Sequence, residues 1–206
     1  MSNERKNHWE TIYTEKSPAQ VSWTQSTPTT SLNLINATKL PLDAPIIDVG
    51  GGESMLVDHL LDHGYKDITV LDISGNALSR CQKRLGARAK NVHWIEADIT
   101  AFHPQRNFAL WHDRAVFHFL TTEEDKAAYK KLVSNHVSRA LVLSTFSLDG
   151  PLKCSGLPIC QYNAEGLQAL FAPHFELVQS HEELHHTPFN TTQAFVYTQF
   201  KVKAIE

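Results

Sequence analysis

The sequence predicts an α/β fold, a doubly wound and mostly parallel sheet with helices on both faces. Short β-branched runs alternate with helix-length segments between residues 44 and 147, and parallel strands require crossovers of that kind, which are right-handed. Three consecutive glycines, Gly50, Gly51 and Gly52, lie between the first such run and the first such helix, in "PIIDVGGGESMLVDHLLDHG". Glycine weakens regular structure, so the backbone there turns tightly or lies against something. The last two apolar runs lack a helix-length connection and read as an antiparallel pair closing the sheet.

In chain order, the first forty or so residues hold Trp9, Tyr13 and Trp23 among polar residues and Pro18, Pro28 and Pro41, a pattern for one or two helices plus loops. Strands are then predicted at 44–49, 67–73, 91–97, 108–113 and 139–147. The segments "ESMLVDHLLDHG", "SGNALSRCQKRLG" and "TTEEDKAAYKKLVSNHV" between them are helical. Gly64 and Gly86 suit helix C-termini, and Thr121 with Glu124 fits a capping box. The segment 146–162, "FSLDGPLKCSGLPICQY", is longer than a minimal connection, which favours an ordered lid on the ligand rim. The helix "NAEGLQALFAPH" and the closing runs "FELVQSHEE" and "TQAFVYTQFKV" complete the chain, with no internal repeat.

Composition sets limits. The 206 residues, 42% of them hydrophobic, suffice for a substantial core and read as a single domain, 1–43 a helical leader and 44–206 the sheet-bearing core. With 19 Lys and Arg against 22 Asp and Glu, the balance favours neither nucleic acid nor an anionic membrane as partner. No apolar run reaches membrane-span length, and "MSNERKNHWE" is too acidic and polar for a targeting peptide, so a cytoplasmic protein is expected. Three cysteines without a CxxC pair fit a reducing compartment.

In an open α/β sheet, ligands bind beyond the carboxyl ends of the strands, and the triple glycine is the loop there. A dinucleotide fingerprint needs G-x-G-x-x-G, but counting from Gly50 and Gly52 puts Met55 at the third glycine. The alternative is D-x-G-x-G, with Asp48 ending the strand and the glycines leaving bare backbone for a bulky ligand. Asp72 ends the next strand in "VLDIS", twenty residues beyond Gly52, and Asp98 follows the third in "EADIT". Singly, each acid is as ordinary as a turn or a helix N-cap; three at consecutive strand ends are not.

On these stations the sequence resembles the class I S-adenosylmethionine-dependent methyltransferases, from about Trp9 to the C-terminus. The resemblance implies a Rossmann-like sheet of seven strands in order 3-2-1-4-5-7-6, the seventh antiparallel, and S-adenosyl-L-methionine as cofactor. It further implies that Asp48, Gly50, Gly51 and Gly52 form the cofactor loop, that Asp72 and Ile73 serve the ribose, and that Asp98 and Ile99 serve the adenine. The leader is similar to that of small-molecule thiol and some lysine methyltransferases, which implies that Trp9 and Trp23 close over the cofactor, with Tyr13 beside them.

The fourth strand leads into "WHDRAVFHFL", which crowds His112, Asp113, Arg114 and His118 beside the expected sulfonium end. His118 titrates near neutrality and Asp113 sits where family members contact the methionine ammonium or the acceptor, so both are expected to be catalytic. His112 reads equally as a hydrogen-bonded core histidine, and Arg114 equally as an ion-pair partner of Asp113. Arg114, Phe117, Cys154, Cys160, Tyr162, Tyr13 and His186 are expected around the acceptor. Twelve histidines, with His181, His185 and His186 between the closing strands, raise a metal or a thiol-rich pocket for sulfur, selenium or arsenic compounds, but no spacing matches a compact zinc template. No metal is expected.

The expected function is methyl transfer to an O, N or S atom of a small molecule. A protein lysine methyltransferase is the alternative among enzymes, and a non-catalytic S-adenosylmethionine-binding regulatory module the alternative outside them. The asparagine-proline-proline-tyrosine type motif of nucleic-acid amino methylation is absent from the sequence.

Overall fold

The computed structural model describes residues 2–204. Six α-helices are described: α1 (Ser2–Glu15), α2 (Thr29–Ala37), α3 (Leu56–Asp62), α4 (Gly75–Leu85), α5 (Glu123–His136) and α6 (Ala164–Phe171). Seven strands form one sheet: β1 (Ile46–Val49), β2 (Ile68–Asp72), β3 (Val92–Glu96), β4 (Phe108–Arg114), β5 (Val137–Phe146), β8 (Phe175–His186) and β9 (Thr192–Val202). Their order is β3-β2-β1-β4-β5-β9-β8, parallel from β3 to β5, with β9 antiparallel to both β5 and β8. This is the seven-stranded order expected, with the penultimate strand in space reversed.

Alternation along the strands divides the core between the two sheet faces. Ile46 joins Leu34, Ile35, Leu56 and Leu60 under α2 and α3, whereas Ile47 and Val49 join Trp111, Tyr129 and Val133 under α5. β1, β2, β4 and most of β5 are buried along their length, as near-continuous apolar runs of strands covered on both faces are. Among the described residues, no helix is long and apolar enough to cross a membrane.

Two local expectations are corrected, and one gains detail. The N-cap of α5 is Thr122 rather than Thr121, because the Thr122 hydroxyl accepts from the Asp125 amide at 3.1 Å. The long 146–162 segment contains a hairpin of β6 (Lys153–Cys154) and β7 (Leu157–Pro158), turned by Ser155 and Gly156 at φ of 51° and 82°. Positive φ at both central residues suits the strand twist in a two-residue turn. His181, His185 and His186 lie within β8 rather than in the connection after it.

The leader reaches the sheet through charge. At the N-terminus of α4, Glu10 of α1 accepts from the Gly75 amide at 2.7 Å, the Asn76 amide at 3.3 Å and the Ser74 hydroxyl at 3.0 Å. A carboxylate there satisfies helix amides that lack intrahelical partners and meets the positive end of the helix dipole. Arg5 pairs with Asp125 and Lys6 with Glu96, while Arg80 of α4 donates to the Lys16 carbonyl at 2.8 Å. Glu10→Ala therefore loses stability of about 1–2 kcal/mol in urea unfolding, with an unchanged m-value because the exposed surface is the same.

Candidate active site

At the carboxyl ends of β1 to β4 a cavity of about 430 Å³ opens under the leader. Asp48 sits at its base, 2% exposed, with Oδ1 accepting from His112 Nδ1 at 2.7 Å; Ser31 Oγ lies 2.9 Å from His112 Nε2. The pairing of β1 with β4 puts Asp48 opposite His112, so this contact is a cross-strand pair. His112 is the hydrogen-bonded core histidine of its second reading, and its edge also lines the cavity. Asp48 Oδ2 is buried without a partner.

The next residues form the cradle. Gly50 has φ of 69°, its amide donates to the Leu71 carbonyl at 2.7 Å, and a Cβ on it would overlap the Val116 side chain. At Gly51 a Cβ would stand 2.7 Å from Asp48 Oδ2. Gly52, with φ of 39°, stands back from the cavity lining, pressed so closely on Asp72 that a Cβ would lie 2.8 Å from its Oδ2. A side chain is excluded at all three positions by space or by φ.

Asp72 is held at its Oδ1 by the Ser74 amide at 2.8 Å. Burial pushes its carboxyl up to about 7, with the charges of Asp48 and Glu10 adding to the rise and the amides of Ser74 and Gly52 opposing it. Asp98 caps the short turn after β3 by accepting from the Thr100 amide at 2.9 Å. Its Oδ2 is buried without a hydrogen-bond partner, 3.9 Å from Arg5.

The roof is aromatic. Trp9 meets Trp23 at 5.7 Å and Phe119 at 5.2 Å between ring centroids, and Tyr13 meets Trp23 at 6.2 Å. Burial, followed by the Asp72 and Glu53 charges, raises the Tyr13 phenol well above its usual range, so it stays neutral. The cavity thus brings together Trp9, Tyr13, Trp23, Asp48, Gly50, Gly51, Asp72, Ile73, Asp98, Ile99, Arg114 and Cys154.

The expected acid–base pair lies elsewhere. Asp113 is fully buried and outside the lining: Oδ1 accepts from the Val116 and Phe117 amides at 2.9 and 3.3 Å, and Oδ2 from the Tyr129 hydroxyl at 2.6 Å. It shapes the turn after β4, although burial pushes it up to about 6. His118 is also fully buried and outside the lining. Burial, then the Arg114 charge, pushes it down to about 3, so it is neutral and a weak base. Phe117 stacks in the core with Tyr129, Tyr162 and Phe171. Tyr162 belongs to that layer, the Cys160 amide donates to the His118 carbonyl at 2.8 Å, and His186 is exposed on the edge strand; none of the four lines the cavity. Arg114 does not pair with Asp113 but donates to the Tyr197 hydroxyl and the Trp23 carbonyl.

Sequence reasoning missed Arg5, Ser31, Glu53, Val116, Phe119 and Leu120, all in the lining. For Arg5 the signal was present: Arg5, Trp9 and Tyr13 fall four residues apart on one helix face. Among the described residues, no group of three or more His, Cys, Asp or Glu side chains is arranged to hold a metal.

Residues 46–136 match the methyltransferase domain family. Mouse EEF1A lysine methyltransferase 2 is 23% identical over 187 residues, 84% of this chain and 72% of that protein. Mouse eEF1A lysine and N-terminal methyltransferase is 22% identical over 127 residues, 61% of this chain, and the match spans only 18% of that protein's length. Among solved structures, an S-adenosylmethionine-dependent methyltransferase from Anabaena variabilis superposes with a TM-score of 0.77 at 17% identity, covering 98% of this chain and 95% of the other. The Burkholderia thailandensis 1,6-didemethyltoxoflavin-N1-methyltransferase, solved with 1,6-didemethyltoxoflavin and S-adenosylhomocysteine, gives 0.70 at 14%, covering 99% and 91%. The domain match covers residues 46–136, and the fold is the one these solved methyltransferases share.

Asp72 carries a pH signature. Its folded value stands above the ordinary one, so its contribution to stability is full below about pH 4 and is lost as pH rises through about 7. Asp72→Asn, which cannot ionise, is expected to be more stable than wild type at pH 8 by roughly 1–3 kcal/mol without ligand, and equal to it near pH 4. Urea unfolding at both pH values measures the difference.

Proposed function

We propose that the chain transfers a methyl group from S-adenosylmethionine to a small-molecule acceptor, working as one unit over residues 1–206 with 1–43 as the cover of a 44–206 core. The observation that carries the reading is the convergence of three strand-end carboxylates and a side-chain-free loop on one cavity. These residues fit the cofactor. Asp98, with an unpartnered Oδ2, suits the exocyclic amine of adenine and Ile99 its ring face. Asp72 suits the ribose hydroxyls, with Ile73 beside it, because a carboxylate has acceptors for both. Gly50 and Gly51 give a backbone surface for the methionyl chain, Gly52 lets the loop close on Asp72 behind them, and unpartnered Asp48 Oδ2 suits the ammonium, directly or through water. Trp9 and Trp23 turn aromatic faces toward a cationic ligand, while Tyr13 closes the roof beside them.

When bound, the cofactor supplies a sulfonium methyl that is already electrophilic. What remains for the chain is to hold a nucleophile in line and exclude water. Trp9, Trp23 and Phe119 exclude water above the site, and Val116, Cys154 and Arg114 wall the acceptor side. Neither His118 nor Asp113 reaches the cavity, so positioning outweighs general-base catalysis, and an acceptor that ionises readily by itself suits the site best. The cavity of about 430 Å³ lies within the roughly 300–1,000 Å³ usual for ligand pockets and must hold the cofactor as well as the reacting end of the acceptor.

Likeness to EEF1A lysine methyltransferase 2 supports a second reading, methylation of a protein lysine. Incubation with labelled cofactor, a panel of thiols, amines, phenols and carboxylates, and a cell lysate separates the two. Label in an extractable product is expected, and label in a protein band overturns the small-molecule reading. Asp72→Ala is expected to weaken cofactor binding roughly 10- to 100-fold by calorimetry, because two ribose hydroxyls lose a charged acceptor. Gly50→Val is expected to weaken it at least as much, and wild-type affinity in a folded variant overturns the role of the loop.

A further inference from the structure

We propose that Arg114 is the receptor for a carboxylate on the acceptor, so that the substrate is a small anion with an apolar body. The inference rests on the methyltransferase reading above and narrows its substrate class. Arg114 ends β4, and its side chain crosses toward β9. Nε donates to the Tyr197 hydroxyl at 2.8 Å and Nη1 to the Trp23 carbonyl at 3.0 Å. The guanidinium carbon lies 4.6 Å from the centre of the Phe195 ring. These contacts fix the plane of the group and leave Nη2 buried with no partner. Among the described residues, no carboxylate lies within ion-pair distance of it.

The neighbouring titratable groups supply no counter-charge either. Burial pushes the Cys154 thiol up to about 12, and burial with the Arg114 charge pushes His118 down to about 3 and lowers His185 as well. All three are neutral near pH 7. A guanidinium in this setting is costly unless an anion completes it. Arg114 belongs to the cavity lining, so its side chain stands beside the space a ligand would fill.

Position argues for the acceptor rather than the cofactor. Asp98, Asp72 and Asp48 stand at or just beyond the ends of β3, β2 and β1, adjacent strands about 4.8 Å apart. A cofactor spread along those three ends reaches Arg114 last, and the guanidinium leans further away, onto residues of β9. The walls there are Trp23, Val116, Phe119 and Cys154, which suit a flat apolar body. A single free guanidinium edge without a second cation suits a carboxylate monoanion better than a phosphate dianion. It also disfavours a lysine ammonium.

The test is calorimetric titration of protein saturated with S-adenosylhomocysteine, using benzoate, salicylate and thiosalicylate, each beside its neutral amide. Wild type is expected to bind at least one carboxylate about ten-fold or more tighter than its amide, as a charge-assisted bond implies. Arg114→Gln is expected to erase that preference. Arg114→Lys, which keeps the charge without the planar edge, is expected to lose part of it and decides the matter if the Gln variant does not fold. Both variants should keep S-adenosylhomocysteine affinity within about three-fold, a change of under 1 kcal/mol. No carboxylate preference in wild type, or a full preference in both variants, overturns the proposal. So does a matching loss of S-adenosylhomocysteine affinity, which would put the cofactor's own carboxylate on Arg114. Failure of wild type to bind S-adenosylhomocysteine at all would instead refute the cofactor reading on which the proposal stands.

Discussion

A carboxylate buried at the end of a central strand must be hydrogen-bonded in place, and at Asp48 that requirement organises the molecule. His112 meets it from β4, and Ser31 of α2 meets His112 from the other side. The consecutive elements α2 and β1 and the distant β4 are thereby fixed at one point. Because β1 and β4 are held in that register, the loops leaving them face one another, and Val116 comes to rest where a side chain on Gly50 would otherwise be. The floor of the cavity is therefore set by strand pairing, and only its cover depends on side-chain contacts.

Along the sheet the cavity changes sign. Carboxylates stand at the ends of β1 and β2 and just beyond β3, where the cofactor is expected, while the end of β4 carries a guanidinium. Low dielectric sharpens both effects: it lifts Asp72 toward neutrality and keeps Cys154 and His118 uncharged. A site so arranged stores its polarity in groups that a ligand must complete rather than in residues that shuttle protons.

The fold was legible because its signals are periodic or positional. Strand and helix alternation, the glycine cluster and the missing last crossover suffice for a doubly wound sheet closed by an antiparallel pair, the family resemblance supplies its strand order, and the three acid stations fall around one cavity because strand ends share a rim. The segment after β4 was not legible in the same way. Asp113 and His118 are residue types that often do chemistry, but Asp113 is consumed by two backbone amides and the Tyr129 hydroxyl, and His118 is sealed behind Phe119 and Phe146. Which way a side chain faces as a strand ends depends on the turn that follows, and here Ala115 adopts φ of 70°, a conformation its identity does not announce. The reach of Arg114 to β9 is likewise set by tertiary contacts more than eighty positions away in the chain.

The cover and the floor are held by different forces. Residues of β1, β2 and β4 are joined by sheet hydrogen bonds and apolar packing, whereas α1 is held by the Arg5–Asp125 and Lys6–Glu96 pairs and the Glu10 carboxylate on α4, together with the ring contacts of Trp9 and Tyr13. Half-exposed ion pairs weaken as ionic strength rises, but buried packing does not. The contacts that hold α1 over the cavity therefore include ones that respond to salt, whereas those that set the strand-end carboxylates do not.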